Sequence, residues 1–210
     1  MAAITISRQY AAGGSDLAKL LGKRLGWAVV DNEFVDLVSE RAGLPHQEVE
    51  RLQERVPGLL ERLAQALTLA SPEVFVVTGE TPITGPTQED EIVQITEKVI
   101  SEAVRHSNVV LVGRGAQAYL ATRDNVLHLY IVAPRAVRVA RAMERLKVER
   151  KEAERTVDET DNARRQYVKS RYARAWDDTA TYDMVFNTDR VTYDEVVETV
   201  AGLVKRRGWS

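Results

Sequence analysis

The sequence predicts an α/β fold of three layers, in which a parallel sheet is flanked by helices. Short apolar runs alternate along the chain with stretches whose apolar residues recur at helical spacing. Two of the runs, Val109–Val112 and Val126–Val132, are apolar apart from His128, which is typical of parallel strands that are buried on both faces. Since strands and helices alternate, right-handed crossovers should join neighbouring parallel strands.

The first elements form a strand–helix–strand unit. Ala3–Ile6 is apolar and is predicted to be the first strand, and Trp27–Val30 is predicted to be the second. The helix between them should end at Gly26. Its apolar face is formed by Leu17, Leu20, Leu21 and Leu25.

The central region is expected to be largely helical. Phe34, Val35 and Val38 suggest a short helix that ends near Gly43. A longer helix is predicted over 49–70, with a kink or break at Pro57. Ser71–Thr87 contains three prolines and two glycines, so we expect a loop there. A further helix should carry Ile92, Ile95, Val99 and Ala103 on one face.

The last third of the chain combines a charged helical region with a final strand and helix. Arg135 to about Arg174 is expected to be mostly helical, and Met184–Phe186 to be the last strand. Thr192 and Glu195 have the spacing of a capping box at the start of the final helix.

Composition excludes several classes of function. The 210 residues include no cysteine, which excludes a disulfide framework, a thiolate metal site and a cysteine nucleophile. A net charge of −2 gives no reason to expect nucleic acid or an acidic membrane as partner. The three histidines, His46, His106 and His128, lack metal-ligand spacing. No signal peptide or apolar run of about 20 residues is visible, so we expect a cytoplasmic protein.

A basic segment in this weakly acidic chain favours a compact anionic ligand. Residues 135–175 contain 13 Lys and Arg against 7 Asp and Glu. The expected partner is a nucleotide or a small phosphorylated molecule. Assembly into a homo-oligomer is left open.

A Gly-rich turn between the first strand and the first helix has the setting of a phosphate-binding loop. Alignment with the pattern G-x-x-x-x-G-K-[ST] places Arg8 at the first glycine, Gly13 at the second, Gly14 at the lysine and Ser15 at the hydroxyl position. We expect Gly13, Gly14, Ser15 and Asp16 to bind donor phosphate and Ser15 to contact Mg²⁺. Arg8 is the candidate for the missing cation. The alternative is an ordinary glycine turn before a helix.

Four ordered blocks extend over most of the chain and resemble the cytidylate kinase-like family. They are ITISRQYAAGGSDLAKLLGKRLGW, VVDNEFVD, VVLVGRGAQAYL and DETDNARRQYVKSRY with the following WDDTATYDMVFNT. The resemblance implies a single domain with the fold of P-loop nucleoside monophosphate kinases, and ATP with Mg²⁺ as phosphoryl donor. Its core would comprise 1–43 and 108–210, with a helical lid near 145–175 and a helical insertion on the acceptor side near 44–107.

The resemblance also implies an acceptor site. Asp31 would lie beside the acceptor nucleotide, although an acid at this place also suits a helix N-cap. Arg114 ends a buried strand, where its guanidinium suits bidentate phosphate binding; an ion pair with an acidic neighbour is the alternative. True cytidylate kinases differ at three nearby positions, which here hold Asn32, Asp36 and Gly115.

Five residues of the basic region match charged positions around the lid of these kinases. Arg138 and Arg141 match arginines that precede the lid, and Arg164 and Arg165 match its arginine pair. Asp161 belongs to the same block and is expected on the acceptor side. A solvent-exposed helix face is the alternative for all five.

The function expected from these features is phosphoryl transfer from ATP to CMP, dCMP or a related small acceptor. Because Gly14 replaces the phosphate-loop lysine, the main alternative is a non-catalytic nucleotide- or phosphate-binding module on a kinase scaffold. A kinase for a non-nucleotide acceptor is the third hypothesis, since it explains the altered acceptor positions and keeps Arg114.

Overall fold

A computed structural model of the chain describes residues 1–31, 97, 100, 101 and 103–209. The predicted helices that begin at Phe34 and at residue 49 lie outside the described residues, as do the loop Ser71–Thr87 and the positions of Asn32 and Asp36. Most of the predicted insertion near 44–107 is therefore undescribed.

The described strands form a five-stranded parallel sheet, as the sequence predicts. Its strands are β1 (Ala3–Arg8), β2 (Ala28–Asp31), β3 (Val109–Val112), β4 (Val126–Val132) and β5 (Met184–Asn187). The order across the sheet is β2-β3-β1-β4-β5, so β1 is central. β1 pairs with β3 from Ala3 opposite Val109, and with β4 from Ala3 opposite Val126.

Helices cover both faces of the sheet. They are α1 (Gly14–Leu25), α2 (Ala116–Tyr119), α3 (Arg135–Leu146), α4 (Arg150–Tyr172) and α5 (Tyr193–Arg206), with a 3₁₀ turn at Thr179–Thr181. Residues 97, 100, 101 and 103–106 are also helical. None of the described helices is both long enough and apolar enough to cross a bilayer.

The alternation of side chains along β1 explains the three layers. Ile4 and Ile6 belong to the apolar cluster that contains Leu17 of α1 and Val200 of α5. Ala3 belongs to a second cluster, formed with residues of the 97–106 helix and of α2. Because side chains of a strand alternate between faces, a strand covered on both sides is mostly apolar, and its buried polar side chains need partners, as Thr5 has in His128.

Two predicted helix boundaries are confirmed. α1 ends at Gly26, whose φ of 69° lies in the left-handed region that glycine adopts without strain. α5 begins with a complete capping box, in which Thr192 and Glu195 each bond to the other's backbone N–H.

The charged region predicted as mostly helical consists of two helices. Lys147 ends α3 with a φ of 58°, and α4 begins at Arg150. A small apolar cluster joins the two helices, with Val139 and Ala142 of α3 packed on Ala153 and Val157 of α4. No glycine or proline marks the break, so the sequence pattern alone did not indicate it.

Candidate active site

A pocket of about 360 Å³ lies beyond the carboxyl ends of β1 and β3, against α4. Ligands of open parallel sheets bind at this edge. We call it the arginine pocket; its polar and aromatic lining residues are Ser7, Arg8, Arg114, Gln117, Thr160, Arg164, Tyr167 and Trp176.

Arg8 links the arginine pocket to the start of α1. It is the last residue of β1 and is only 9% exposed. Its Nη2 is 3.5 Å from Oδ1 of Asp31. The aliphatic part of the side chain lies against Gly14, where an added Cβ would be 2.6 Å from Cβ of Arg8. Position 14 therefore has no room for a side chain while Arg8 keeps this conformation.

Arg164 places a second guanidinium near Arg8. It lies on α4, and its Nη1 donates a hydrogen bond of 2.9 Å to the backbone oxygen of Arg8. Burial lowers the pKa of Arg164 to about 10, and the charge of Arg8 adds to this effect. Its guanidinium is also 5.9 Å from the ring centre of Tyr10. Such a site favours an anionic ligand, whose charge would relieve the penalty on both cations.

Arg114 is held by an unusual backbone. Gly113, Arg114 and Gly115 have φ values of 75°, 48° and 66°, so three successive residues are left-handed. Arg114 is the non-glycine member and carries strain of the kind that concentrates at functional sites. Glycine is required at position 115 because its φ is positive and because a Cβ there would overlap the ring of Tyr172. The strained turn places Arg114 in the lining of the arginine pocket.

Arg138 and Asp161 form a buried ion pair beside the phosphate loop. Nη1 of Arg138 is 2.7 Å from Oδ2 of Asp161, and its Nε donates to the oxygen of Ala133 at 3.0 Å. Oδ1 of Asp161 accepts the backbone N–H of Tyr10 at 2.7 Å. Neither residue lines the arginine pocket. Contact of either one with a ligand stays a prediction, whereas their role in fixing the loop at Tyr10 is visible.

Arg141 and Arg165 also lie outside the lining of the arginine pocket. Arg141 donates to Oγ1 and to the backbone oxygen of Thr188, both at 2.9 Å, and Thr188 in turn donates to the oxygen of Ala12 at 2.8 Å. Arg165 is partly exposed, and its Nε donates a hydrogen bond of 3.1 Å to Oδ2 of Asp177. Their predicted contacts with the transferred group remain predictions.

The predicted donor residues lie together at the start of α1. Gly13 is the N-cap residue, with a φ of 86°, and as a glycine it offers no side chain to cap the helix. A Cβ at Gly13 would overlap the hydroxyl of Tyr193, so this glycine also permits α5 to pack on the loop. The uncapped N–H groups of the first turn suit phosphate oxygens.

The described residues offer Mg²⁺ no cluster of protein ligands. Among the described residues, no three His, Asp or Glu side chains cluster as metal ligands. Mg²⁺ in phosphoryl-transfer sites is usually held by substrate phosphates, water and one or two protein groups. Ser15 and Asp16 lie in the first turn of α1 and are the groups of this loop that could supply such contacts.

Sequence reasoning missed several residues around the site. Gln117 is 4% exposed and donates to the oxygen of Thr181 at 3.1 Å. The hydroxyl of Tyr167 is buried and makes no well-formed hydrogen bond to a described residue. Burial raises the pKa of Tyr167, and Arg114 and the neighbouring Tyr172, whose own hydroxyl donates to Glu97 at 3.1 Å, partly offset the rise. Nothing in the local sequence identified Gln117 or Tyr167 as part of a site.

Comparison with known proteins identifies the family. A sequence model described as the cytidylate kinase-like family matches residues 3–190. The chain belongs to the cytidylate kinase-like family. The predicted family is therefore confirmed. No curated protein matches the chain.

Solved structures place this family member among the P-loop kinase folds. An uncharacterized protein from Eubacterium ventriosum ATCC 27560 is 18% identical, with a TM-score of 0.69 and coverage of 98% of this chain and 99% of that one. A shikimate kinase from Bacteroides thetaiotaomicron is 14% identical, with a TM-score of 0.50 and coverage of 97% and 98%. A gluconokinase from Sinorhizobium meliloti 1021 is 13% identical, with a TM-score of 0.50 and coverage of 97% and 92%. The predicted fold is confirmed, and at these identities the likeness concerns the fold alone.

Proposed function

We propose that the protein transfers a phosphoryl group from ATP to a small phosphorylated acceptor, with CMP and dCMP as the first candidates. The observation that carries the proposal is the arginine pocket. Three of its lining residues, Arg8, Arg114 and Arg164, come from two strand ends and from α4. Their convergence where ligands of parallel sheets bind supports a site for phosphoryl oxygens.

The donor would bind at the start of α1. The left-handed Gly13 and the uncapped first turn of the helix provide backbone N–H groups and the positive end of the helix dipole. Ser15 would contact the Mg²⁺ that accompanies ATP. The ion would offset phosphate charge there.

The acceptor would bind in the arginine pocket. A volume of about 360 Å³ is at the lower end of the range for small-molecule sites. Arg114 would bind the acceptor phosphate, and Asp31 would orient the acceptor from the end of β2. Tyr167, Gln117 and Trp176 would surround its base or sugar with two polar groups and one aromatic surface.

Rate enhancement in this arrangement would come from positioning and charge. Phosphoryl transfer needs little covalent help from a protein, because the developing charge lies on the phosphate oxygens. Arg8 and Arg164 are already desolvated in the site, so their attraction for these oxygens is strong and needs little reorganisation.

A non-catalytic nucleotide-binding module is the second candidate. The observation that favours it is the buried Gly14, which stands where active P-loop kinases carry a lysine. A kinase for a non-nucleotide acceptor is the third candidate, and it is consistent with Asn32, Asp36 and Gly115.

A coupled assay with ATP, Mg²⁺ and CMP, dCMP, UMP or AMP, with a parallel panel of non-nucleotide alcohols, would separate these candidates. We expect turnover with at least one monophosphate and a rise of about tenfold or more in acceptor KM for Arg114→Ala, since a charge-assisted bond is lost. Arg123→Ala, an exposed arginine before β4, is the matched control. Tight ATP binding without turnover on any of the four would favour the module, and turnover only on a non-nucleotide alcohol would favour the third candidate.

A further inference from the structure

We propose that the phosphate-loop cation has moved from position 14 to position 8, so that Arg8 binds the terminal phosphates of a nucleoside triphosphate. The inference rests on the proposed donor site at the start of α1. In the aligned pattern the first residue is glycine and the residue after the second glycine is lysine, whereas this chain has Arg8 and Gly14 there. The two substitutions together exchange the positions of a glycine and a cation.

The packing of Arg8 explains why position 14 is glycine. Gly14 lies in the first turn of α1 and does not have a positive φ, so its backbone conformation would accept any residue. The space beside it is the constraint. A Cβ at position 14 would lie 2.6 Å from Cβ and 2.8 Å from Cγ of Arg8, closer than such atoms approach. Arg8 thus occupies the space in which a lysine side chain would begin.

The course of the Arg8 side chain places its charge between the two proposed ligands. Its aliphatic part packs against Gly14 in the first turn of α1, beside the proposed donor site. Its guanidinium reaches Asp31 at 3.5 Å, and the residue lines the arginine pocket, where the acceptor would bind. Arg8 thus borders both regions, as a cation for the transferred phosphoryl group must.

The charges around Arg8 suit an incoming anion. Arg164 lies close enough for Arg8 to lower its pKa, so the two cations repel each other in the buried site. Asp161, 3.8 Å from Arg164, already pairs with Arg138 at 2.7 Å. Triphosphate oxygens would lower the repulsion between Arg8 and Arg164, and Asp31 would then be available to the acceptor.

The alternative is that Arg8 is a structural residue whose only task is to pair with Asp31. The two hypotheses differ in which ligand should bind more weakly when Arg8 is lost. A structural residue would affect all nucleotides alike, whereas a cation for the terminal phosphates should affect ATP and leave AMP nearly unchanged.

Isothermal titration with Mg²⁺–ATP and with AMP would test this inference on the wild type and on Arg8→Ala, Arg8→Lys, Gly14→Lys and the exchange variant Arg8→Gly/Gly14→Lys. We expect Arg8→Ala to weaken ATP binding at least about tenfold and AMP binding less than about twofold. Arg8→Lys should keep part of the ATP affinity. Gly14→Lys alone should weaken it because two side chains compete for one space, and the exchange variant should recover it because the usual pattern is restored.

Arg24→Ala serves as the control for loss of a positive charge near α1, since Arg24 is exposed and pairs with Glu198 on α5. Unchanged ATP affinity in Arg8→Ala would overturn the inference, and so would an equal loss for ATP and AMP. If Arg8→Ala does not fold, the comparison of Gly14→Lys with the exchange variant decides the question, and a lack of recovery overturns it. Arg8-dependent ATP binding without transfer to any acceptor would instead refute the proposed function and leave this inference standing.

Discussion

The guanidinium of Arg138 and the carboxylate of Asp161 are 2.7 Å apart and almost fully buried, and the same carboxylate holds the backbone N–H of Tyr10. This pair therefore ties both helices of the basic region to the phosphate loop. One helical turn earlier, Arg135 and Asp158 make a second contact between α3 and α4, also at 2.7 Å, but both side chains are half exposed. The two pairs differ in burial and in the backbone N–H that Asp161 also accepts.

Removal of Asp161 should destabilise the protein strongly. Asp161→Ala leaves a buried guanidinium and a backbone N–H without their acceptor, so we expect a loss of about 3–5 kcal/mol in the free energy of unfolding. Asp158→Ala is the matched control and should have a much smaller effect, because water screens exposed pairs. Urea denaturation measures both values. Equal losses in the two variants would contradict the burial argument.

The contrast between these pairs shows what the sequence could and could not predict. The bounds of β3 and β4 were predicted as the structure has them, because a doubly buried strand is apolar at nearly every position. The α5 capping box was also predictable, since it depends on two residues three positions apart. Arg138 was different. The sequence of a charged helix face does not show whether its arginine is exposed or pairs with a carboxylate 23 positions away, as Arg138 does with Asp161.

The glycine at position 13 offers a double-mutant test of the loop. Gly13→Ala should cost about 1–2 kcal/mol for the left-handed backbone, and more for the overlap with the Tyr193 hydroxyl. Tyr193→Ala removes the overlap but leaves the backbone strain. The double variant should therefore lose less stability than the two single losses added together. Urea unfolding of the four proteins measures the coupling, and strict additivity would mean that Tyr193 does not restrict Gly13.

Stability should fall in mild acid because of His128. Burial lowers the pKa of His128 below its ordinary value of 6.5, with a smaller contribution from Arg174, while Asp183 opposes the shift. The unfolded chain then binds a proton that the folded chain does not, so stability declines as the pH falls below about 6.5. The slope from this residue is at most about 1.4 kcal/mol per pH unit.

His128→Asn tests that prediction. Asparagine cannot titrate, and its side chain can still bond Oγ1 of Thr5, which lies 2.7 Å from Nδ1 of His128. We expect the variant to lose less stability than the wild type between pH 7.5 and 5.5 in urea unfolding. His106→Asn, at an exposed position, controls for the loss of a histidine as such. Parallel pH profiles of wild type and His128→Asn would exclude His128 as the source.

The candidate site was only partly predictable. Arg8, Arg114 and Arg164 were identified from motif positions, and all three line one pocket. Gln117 and Tyr167 were not identified, because a polar or aromatic residue on a helix carries no local sign of the cavity that it faces. Arg141 was identified as a candidate for the transferred group, but here it is bonded to Thr188, a partner 47 positions away.

Tyr167→Phe should weaken acceptor binding without loss of stability. Tyr167 lines the arginine pocket, and its buried hydroxyl makes no well-formed hydrogen bond to a described residue, so we expect it to bond the acceptor. Removal of a buried unpaired hydroxyl costs no protein hydrogen bond, and the free energy of unfolding should stay the same or rise. Loss of one bond to the acceptor, about 1 kcal/mol, should raise the acceptor KM roughly fivefold and leave the KM for ATP unchanged.

Tyr182→Phe is the matched control, because the Tyr182 hydroxyl is also buried but donates to the oxygen of Trp176 at 2.6 Å. This variant should lose stability, since it leaves a buried carbonyl without its donor. For both variants, steady-state kinetics measures the change in acceptor KM and urea unfolding measures the change in stability. A fall in stability for Tyr167→Phe, with the acceptor KM unchanged, would mean that the hydroxyl serves the fold. If Tyr167→Phe keeps its stability and raises the acceptor KM, while Tyr182→Phe loses stability, the Tyr167 hydroxyl serves the ligand.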